Sequence, residues 1–553
     1  MFSDRTLWRI FSLLGLVVFA LIGVRLFHLQ VINYSFYDDM VDRQSSASVT
    51  FVKDRGLILD KTGEVLAENH KTASVYVFAS NVKDPDQFVK TLTSHGVAVK
   101  KTLVDTLKDK SGFVWIARQI DIERAKELKG LVKELDYEIE DTRFYPEGRM
   151  LAGVLGYTGV DNQGLEGIEY YADKHLAGKE IPVTVRKDST GRLILFDNST
   201  MKLQPDSALY LTVNAQLQGM AERILRTDME SFKAKRAIAL AMDVRTGEII
   251  LSAVAGGDEE SKRKNASTMY LFEPGSIFKA VSFGHLIEAG QYRANEVVNT
   301  SRPIRMYGHE INDVHTYPSL KQLEIFTKSS NVGMVTLTSK TDSESVYNFM
   351  SRSGFGRKIN IDAMSEEAGL LREPKKWSGL SKASISIGQE ILVSPMQMVR
   401  YYAAIANRGL AVKPTIIYKY EADGKTKVPE HKEERIFSEN TAATLMNMVT
   451  ATVESGTGKR ARTKVLNIGG KSGTAQLIDQ RTKTYSTTDY IASFAGIFPI
   501  EEPRVAMIVI YEAPQSSIYG GETGGTTFRR IAEQVAFFYN FGNGNTKVQY
   551  ANK

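Results

Sequence analysis

The stretch that decides the fold reads Glu273-Pro-Gly-Ser-Ile-Phe-Lys-Ala-Val-Ser-Phe-Gly-His-Leu-Ile-Glu-Ala-Gly290. Pro274 fixes the backbone at its entry, Gly290 suits the C-terminal cap of a helix, and apolar side chains surround most of the circumference between them. A helix that is apolar nearly all round belongs inside a domain. We therefore predict a buried helix whose first turn makes the Ser276 hydroxyl and the Lys279 amine neighbours, because residues three apart share a helix face.

Ser276 and Lys279 have the residue types of a nucleophile and its general base. A serine hydroxyl is a weak nucleophile until a nearby group takes its proton. A lysine can take it only where burial or a cationic neighbour lowers the lysine pKa, because an ammonium has no free lone pair. Ser276 is the candidate nucleophile, Lys279 the candidate base and Lys471 the candidate second cation. The alternative is a helix-capping serine beside a lysine whose stem lies along the surface.

Two more short motifs follow in order, Ser329-Ser-Asn331 before a helix-like stretch and Lys471-Ser-Gly-Thr474 leading into a strand-like one. The order S-x-x-K, S-x-N, K-[ST]-G is typical of serine enzymes that react with penicillin and with D-alanyl-D-alanine peptides. Each motif alone has an ordinary explanation as a helix cap or a glycine turn. Other copies begin at Ser80, Ser199, Ser261, Ser438, Lys61 and Lys110. Only the order and the apolar setting of Ser276 separate the functional set from these copies.

The later motifs suggest roles of their own. Ser329 is a candidate proton relay toward a leaving amine, and the Asn331 amide can both donate to and accept from a substrate backbone. Gly473 is expected to let a substrate backbone approach closely along its strand.

Composition excludes several classes of function. The 553 residues suffice for two or more domains. The net charge of +6 is compatible with an anionic surface or wall polymer, and there is no concentrated basic run of the nucleic-acid type. The absence of cysteine excludes disulfides and thiolate chemistry, and eight histidines without H-E-x-x-H argue against a metal site. The Gly456-Thr-Gly-Lys459 run lacks the first glycine and the final serine or threonine of a phosphate loop. We expect no cofactor.

The N-terminus predicts a membrane anchor at residues 10–29, after a cytoplasmic tail of residues 1–9. The segment from Ile10 to Val24 is almost uninterrupted apolar sequence, close to the ~20 residues that a span requires. Arg5 and Arg9 precede it and favour an orientation with the N-terminus inside. A cleaved signal peptide is the alternative, but Arg25 follows directly and no small-x-small site is clear.

The remaining sequence predicts an α/β (α+β) protein with two further domains. Residues 30–205 mix short strands with charged helices, such as residues 122–135, and form the first domain. Residues 206–540 form the second, in which a hairpin at residues 237–254 and late strands at residues 490–498 and 505–511 give a mainly antiparallel sheet flanked by helices. We expect the Lys471 strand between the hairpin and the late strands, and a polar tail at residues 541–553.

Longer blocks make the chain resemble the class B penicillin-binding proteins, the monofunctional peptidoglycan transpeptidases. Nearly the whole chain is covered. The resemblance implies an elongated pedestal of the family's dimerisation type, an anchor on the bacterial cytoplasmic membrane and a catalytic domain on the outer side. The blocks are Arg25-Leu-Phe-His-Leu-Gln30, Arg55-Gly-Leu-Ile-Leu-Asp-Lys-Thr-Gly-Glu-Val-Leu-Ala67, Arg143-Phe-Tyr-Pro-Glu-Gly148, Gly153-Val-Leu-Gly-Tyr157 and Gly164-Leu-Glu-Gly-Ile-Glu169.

The resemblance also implies roles for individual residues. Ser276 would be the acylated nucleophile, Lys279 its base, and Ser329 and Asn331 the second motif. Lys471, Ser472 and Thr474, with Gly473 between them, would bind the substrate carboxylate. The backbone N–H groups of Ser276 and Thr474 would form the oxyanion hole. Structural roles in the pedestal would fall to Arg55, Gly56, Arg143 and Glu166. The run 520–528 departs from the alanine- and proline-containing stretch of many members.

Within the family, the Gly164-Leu-Glu-Gly167 block and the Ser-Ser-Asn-Val form resemble the division (septal) branch more than the elongation branch. The implied partners are stem peptides ending in D-Ala-D-Ala, β-lactams, a SEDS-type membrane glycosyltransferase and divisome proteins. Three alternatives stay open: an elongation-type transpeptidase, a β-lactam receptor or scaffold without turnover, and a β-lactamase. The long pedestal and the anchor speak against the β-lactamase.

Overall fold

The computed structural model describes residues 4–109, 112–187, 193–194, 205–257, 265–478, 481–482 and 484–541. The predicted polar tail lies outside the described residues from 542 onward, as do the motif copies at Ser199, Ser261 and Lys110. The chain divides into two compact units, one of residues 1–54 with 178–205 and one of residues 55–177 with 206–553.

The first unit carries the apolar N-terminal helix. Among the described residues, only 7–32 is helical, long enough and apolar enough to cross a membrane, and its most apolar window is fully exposed. It contains the predicted 10–29 span and extends it by three residues at either end, which fits a single anchor. The elements of this unit are the helices Asp4–Phe27 and Tyr34–Ser45, the π-helical turn His28–Ile32, and a sheet of strands Ser46–Val52, Glu180–Lys187 and Leu193–Ile194.

The second unit begins with a sheet built around the long strand Val65–Phe78. Its residues Ala73, Val75 and Val77 are fully buried and face the core shared with the neighbouring helices. The predicted helix at 122–135 is confirmed but ends early, since it spans Ile122–Leu131. The other elements are strands Leu57–Leu59, Phe113–Ile120 and Asp136–Phe144, and helices Pro85–Ser94, Leu103–Lys108, Ala152–Leu155, Gly167–Tyr171 and Asp173–Leu176, with the 3-10 turn Ala79–Asn81.

A buried cluster of charges ties these elements together. Glu169 is fully buried, and its carboxylate accepts hydrogen bonds from Arg55 Nε at 2.8 Å and from Arg143 Nε at 2.6 Å. Arg55 also bonds to Asp173 at 2.7 Å. The structural roles predicted for the two arginines are consistent with this geometry, but the expectation for Glu166 is wrong, because Glu166 is exposed at the N-terminus of the Gly167–Tyr171 helix. The carboxylate that faces the arginines lies three residues later.

Another predicted structural residue, Gly56, is explained by a close approach. A Cβ at this position would lie 2.4 Å from Ser207 Oγ and 2.9 Å from the Ser207 carbonyl oxygen. Ser207 begins the strand Ser207–Leu211, which pairs in parallel with Leu57–Leu59 and antiparallel with Ile417–Ala422. One sheet in the described part of the chain therefore contains strands from both predicted domains, 30–205 and 206–540. One continuous apolar core likewise contains residues from both. The border at residues 205 and 206 stays a prediction.

The antiparallel sheet of the second half has, among the described residues, the strand order Ile249–Gly256, Arg236–Asp243, Val505–Glu512, Tyr485–Phe498, Gly469–Ile478. The predicted hairpin and late strands are confirmed. The predicted central position of the Lys471 strand is wrong, because this strand lies at the edge and, within the described ranges, pairs only with Tyr485–Phe498. The physical reason is burial: Arg236–Asp243 and Val505–Glu512 are apolar on both faces and lie inside the sheet. Gly469–Ile478 carries the polar residues Lys471, Ser472, Thr474 and Gln476 and is partly exposed from Gln476 onward.

Helices cover the faces of this sheet, as predicted. The helices that contact its strands are Ala215–Phe232, Ala266–Met269, Pro395–Ala406, Glu439–Ser455 and Gly524–Phe538. The other helices of this half are Lys279–Glu288, Gln322–Thr327, Asn331–Ser339, Ser343–Arg352 and Ser381–Ser386, and its 3-10 turns are Gly275–Phe278, Pro374–Lys376 and Lys459–Ala461. The small outer strands are Val297–Asn299, Ile304–Met306, His309–Ile311, Ser319–Lys321, Leu410–Val412, Lys425–Lys427 and Glu433–Arg435.

Candidate active site

Ser276 lies on a tight turn at the start of a buried helix. The predicted single helix is divided: Gly275–Phe278 is a 3-10 turn, and the α-helix begins at Lys279 and ends at Glu288. Gly275 has φ +54, and a Cβ there would lie 2.7 Å from the Thr474 carbonyl oxygen. Glycine therefore lets the turn lie directly against the edge strand, which brings the first and third motifs together.

Lys279 is fully buried and points to the second motif. Its Nζ donates to the Ser329 carbonyl oxygen at 2.7 Å and to Asn331 Oδ1 at 2.8 Å, and lies 3.4 Å from Ser329 Oγ. Burial lowers the pKa of Lys279 to about 7, and the negative charge of Asp313 acts against this shift. Among the described residues, Lys279 Nζ makes no hydrogen bond to Ser276, so the expected contact within the first turn is replaced by contacts to the second motif. Catalytic hydrogen bonds often tighten only when substrate is bound.

Lys471 reaches the same hydroxyl from the edge strand. It is fully buried, and its Nζ donates to Ser329 Oγ at 2.9 Å and to the Ser472 carbonyl oxygen at 2.9 Å. Burial lowers the pKa of Lys471 well below its usual value, and the charge of Lys279 lowers it further. The structure brings Lys471 to Lys279 through Ser329, but it is burial, not the charge of Lys471, that lowers the pKa of Lys279. The Ser329 hydroxyl lies between two amines and can pass a proton from one to the other.

The lowered pKa of Lys279 predicts how acylation depends on pH. Only the neutral amine can accept the Ser276 proton, and the neutral fraction grows as the pH rises through about 7. We expect the rate of penicillin acylation to rise with pH and to level off above neutrality. Stopped-flow or gel-based acylation rates from about pH 5.5 to 9 check this. A rate that is flat through pH 7 would contradict a titrating lysine base.

Ser329 and Asn331 are placed by the end of one helix and the start of the next. The helix Gln322–Thr327 ends just before them, and Ser329 adopts the left-handed conformation with φ +61. Ser330 then caps the helix Asn331–Ser339 by accepting a hydrogen bond from Gly333 N. The sequence predicted this polar stop before a helix, and the structure brings both predicted side chains to Lys279.

The edge strand brings the third motif to the same place. Ser472 Oγ donates to Thr457 Oγ1 at 2.7 Å, and Thr474 Oγ1 lies 3.4 Å from Gly520 N. The structure gives a further reason for Gly473. A Cβ at Gly473 would meet the protein itself, at 2.5 Å from Ser493 Oγ and 2.9 Å from the Pro274 carbonyl oxygen. Glycine here admits the nucleophile turn, and the close approach of a substrate backbone stays a prediction.

This contact predicts the effect of a single methyl group. We expect Gly473→Ala to slow penicillin acylation about 10- to 100-fold, because the Pro274 carbonyl, and with it the Ser276 turn, must move away from the strand. Acylation rates and melting curves of the purified variant measure it. Gly130→Ala is the matched control: its Cβ has open space in the helix Ile122–Leu131, so both rate and stability should be unchanged or slightly improved. A wild-type rate for Gly473→Ala would show that the turn adapts freely.

The three motifs open into a cavity of about 760 Å³. Ser276 lines it, half-buried, together with Ser329, Asn331, Ser472 and Thr474. Sequence reasoning missed other residues of the wall, namely Asp313, His315, Tyr317, Gln389, Thr457, Arg460, Tyr490 and Tyr519. Thr457 and Arg460 lie in or beside the Gly-Thr-Gly-Lys run, which was considered only as a phosphate loop. The run fails as a phosphate loop, and nothing else in its sequence indicates a place in this cavity.

The described residues contain no group of three or more histidine and carboxylate side chains arranged to hold a metal ion. The chemistry of the cavity is that of hydroxyls, amines and an amide. Such a set can carry a nucleophile, move protons between neighbouring oxygen and nitrogen atoms, and orient a peptide.

Comparisons with known proteins agree with this geometry. The family model of the penicillin binding protein transpeptidase domain matches residues 237–533, more than half of the chain, and that of the penicillin-binding protein dimerisation domain matches residues 52–211. The chain belongs to the class B penicillin-binding protein family. The recognised family and the predicted class of enzyme, a penicillin-binding transpeptidase, are confirmed.

Relatives match this class B penicillin-binding protein over most of their length. The probable peptidoglycan D,D-transpeptidase PenA of Neisseria meningitidis is 30% identical over 93% of this chain and 90% of its own. The peptidoglycan D,D-transpeptidase FtsI of Escherichia coli K12 is 30% identical over 95% of this chain and 90% of its own. Penicillin-binding protein 3 of Mycobacterium tuberculosis, solved with aztreonam, has a TM-score of 0.69 at 24% identity and covers 91% of this chain and 100% of its own. That likeness confirms the predicted fold class.

Proposed function

We propose that this penicillin-binding protein cross-links peptidoglycan through an acyl-enzyme on Ser276, and that β-lactams acylate the same residue. The observation that carries the proposal is the site of Lys279: a fully buried amine with its pKa lowered to about 7, three residues after a half-buried serine that lines a cavity. An amine of this kind is a competent base at neutral pH, and the relatives named above are peptidoglycan D,D-transpeptidases.

The first half-reaction forms the ester. Lys279 Nζ takes the proton of Ser276 Oγ, which attacks the carbonyl carbon of the penultimate D-alanine of a stem peptide. The backbone N–H groups of Ser276 and Thr474 stabilise the oxyanion of the tetrahedral intermediate. Their proximity is supported by the contact of Gly275 with the Thr474 carbonyl. The peptide C–N bond then breaks, and the proton passes through Ser329 to the leaving amine of D-alanine.

The second half-reaction transfers the acyl group. An amine of a neighbouring stem peptide attacks the Ser276 ester, its proton returns through Lys279 to Ser276 Oγ, and a new amide bond forms. Asn331 orients the peptide backbone, and before D-alanine leaves in the first half-reaction, Lys471, Ser472 and Thr474 bind the terminal carboxylate of the donor.

The edge position of the Gly469–Ile478 strand supports the binding mode. Within the described residues, its second edge pairs with no further strand. An extended peptide can therefore add to this edge through main-chain hydrogen bonds, while alternate side chains reach pockets on either side. A donor stem bound in this way runs past Ser276, because the nucleophile turn lies against Gly473 and Thr474.

Labelling with a fluorescent penicillin, followed by peptide mapping, tests the nucleophile. We expect the label on Ser276 and its loss in Ser276→Ala; a label on another residue would sink the mechanism. Steady-state turnover of a stem-peptide thioester then tests the activity. Acylation without turnover would favour a β-lactam receptor or scaffold, and rapid release of hydrolysed drug would favour a β-lactamase.

We further propose a division-site role on the outer face of the cytoplasmic membrane. Its support is the similarity to FtsI, the apolar helix that contains the 10–29 span, and Arg5 and Arg9 before it. Glycan chains would come from a SEDS-type polymerase, with divisome proteins as further partners. Depletion in the native host tests the role: filamentous cells are expected, and rounded cells would indicate the elongation machinery instead.

A further inference from the structure

A loop ahead of the second motif places one carboxylate on its backbone. Asp313 accepts hydrogen bonds from Ser330 Oγ at 2.6 Å, Asn331 N at 2.5 Å and Val332 N at 3.0 Å. The two amides belong to the first turn of the helix Asn331–Ser339, where N–H groups have no partner within the helix. A carboxylate is the group that best satisfies this positive end.

The same loop sets the orientation of the Asn331 amide. Its Nδ2 donates to the Asn312 carbonyl oxygen at 3.1 Å, which leaves Oδ1 to accept from Lys279 Nζ at 2.8 Å. The Ser329 carbonyl, the other strong acceptor of Lys279, belongs to a residue in the left-handed conformation that non-glycine residues rarely adopt. Such a conformation persists only when the surrounding structure stabilises it. Asp313 provides this stabilisation through its hydrogen bonds to the next three residues, Ser330, Asn331 and Val332.

Asp313 also contributes charge to the site. It is half-buried in the cavity wall, and its negative charge opposes the lowering of the Lys279 pKa by burial. The charge of Lys279 in turn lowers the pKa of Lys471, the second buried amine, which comes from the edge strand. The second motif faces Lys279 with the uncharged groups of Ser329 and Asn331.

We propose that Asp313 is a positioning residue of the transpeptidase, which holds Ser330, Asn331 and Val332 so that the second motif meets Lys279, and which supplies a negative charge to this buried lysine. It acts through these groups rather than on the reacting atoms. The inference rests on the proposed function, since it assigns a second loop to the same reaction.

Two substitutions separate its two roles. Asp313→Asn keeps an oxygen for the backbone amides but removes the charge. We expect its maximal rate of penicillin acylation to stay within about tenfold of wild type, while the acid limb of the rate profile moves to lower pH, because the amine of Lys279 becomes less basic. Asp313→Ala also removes the hydrogen bonds, and we expect its maximal rate to fall about 100-fold through misplacement of the motif.

Asp342→Asn is the matched control. Asp342 caps the helix Ser343–Arg352 by accepting from Ser345 N at 2.8 Å, and it does not line the cavity. Asparagine still caps the helix, so this variant removes only a charge. It should leave both the maximal rate and the pH profile unchanged, which shows that loss of charge at any aspartate cap is not enough.

The outcomes are decided on full-length protein whose wild-type form is first shown to label at Ser276. Failure of that labelling overturns the proposed function and is thus recognised separately. With labelling established, an unmoved pH profile for folded Asp313→Asn, or a wild-type maximal rate for Asp313→Ala, overturns the role of Asp313. If Asp313→Ala does not fold, the pH profile of Asp313→Asn decides alone.

Discussion

Lys279→Arg is expected to lower the rate of penicillin acylation about 1000-fold while the protein stays folded, within the range by which general bases accelerate reactions. Arginine keeps the positive charge and similar bulk but does not release its proton in proteins. It can still donate to the Ser329 carbonyl and to Asn331 Oδ1, the acceptors that Lys279 now contacts. Only the capacity to accept the Ser276 proton is removed.

Lys382→Arg provides the comparison for this variant. Lys382 is half-buried and donates to the backbone carbonyls of Ser339 and Thr341, near the end of the helix that begins at Asn331, and it does not line the cavity. Its replacement should leave acylation unchanged. Near-normal labelling of folded Lys279→Arg would instead show that another group is the base. Melting curves for both variants establish that the rates are measured on folded protein.

Glu169→Ala is expected to cost about 3–5 kcal/mol of unfolding free energy, because it leaves the guanidinium groups of Arg55 and Arg143 buried without their shared partner. The free-energy cost of burying the two guanidinium groups would then no longer be offset by the Glu169 carboxylate. Chemical denaturation of the purified protein and its melting temperature measure the loss. Labelling at a temperature where the variant is still folded should be normal, since this cluster lies outside the Ser276 site.

Glu166→Ala tests the same block three residues earlier. Because Glu166 is exposed, its removal should change the unfolding free energy by no more than about 0.5 kcal/mol. An equal loss in both variants would contradict the assignment of Glu169 as the buried partner. Should Glu166→Ala fold and label normally yet fail to support wall synthesis in cells, the pedestal surface at this position couples to a membrane partner.

The site was accessible from sequence wherever neighbours in the chain are neighbours in space. Ser276 with Lys279, and Ser329 with Asn331, belong to single turns, and a left-handed or capped turn leaves a local signature of glycine, proline and serine. Asp313 has no such signature. It reaches the second motif from a separate loop, and only the folded chain shows which of many aspartates lies against a helix N-terminus.

Two further features were harder to predict for a similar reason: which side chain of a helix is buried, and the order of the strands in a sheet. In Gly164-Leu-Glu-Gly-Ile-Glu169, two glutamates three residues apart are equally plausible as the buried one, and the burial of Ile168 beside Glu169 decides it. Strand order likewise depends on competition for the centre of the sheet, which the two most apolar strands win. The Lys471 strand was recognised as a strand, but its place at the edge depends on all its competitors at once.

The pairing of Ser207–Leu211 with both Leu57–Leu59 and Ile417–Ala422 also bears on how the chain matures. A nascent chain emerges from its N-terminus, and contacts between distant segments form slowly because long loops must close first. The strand of Leu57 can pair only after Ala208 has been synthesised, and the strand of Leu211 can complete its pairing only after Ile417 has been. Any fragment that ends before residue 417 therefore leaves a strand edge unpaired. The two sequence halves therefore complete their folding as one cooperative unit, after most of the polypeptide has left the ribosome.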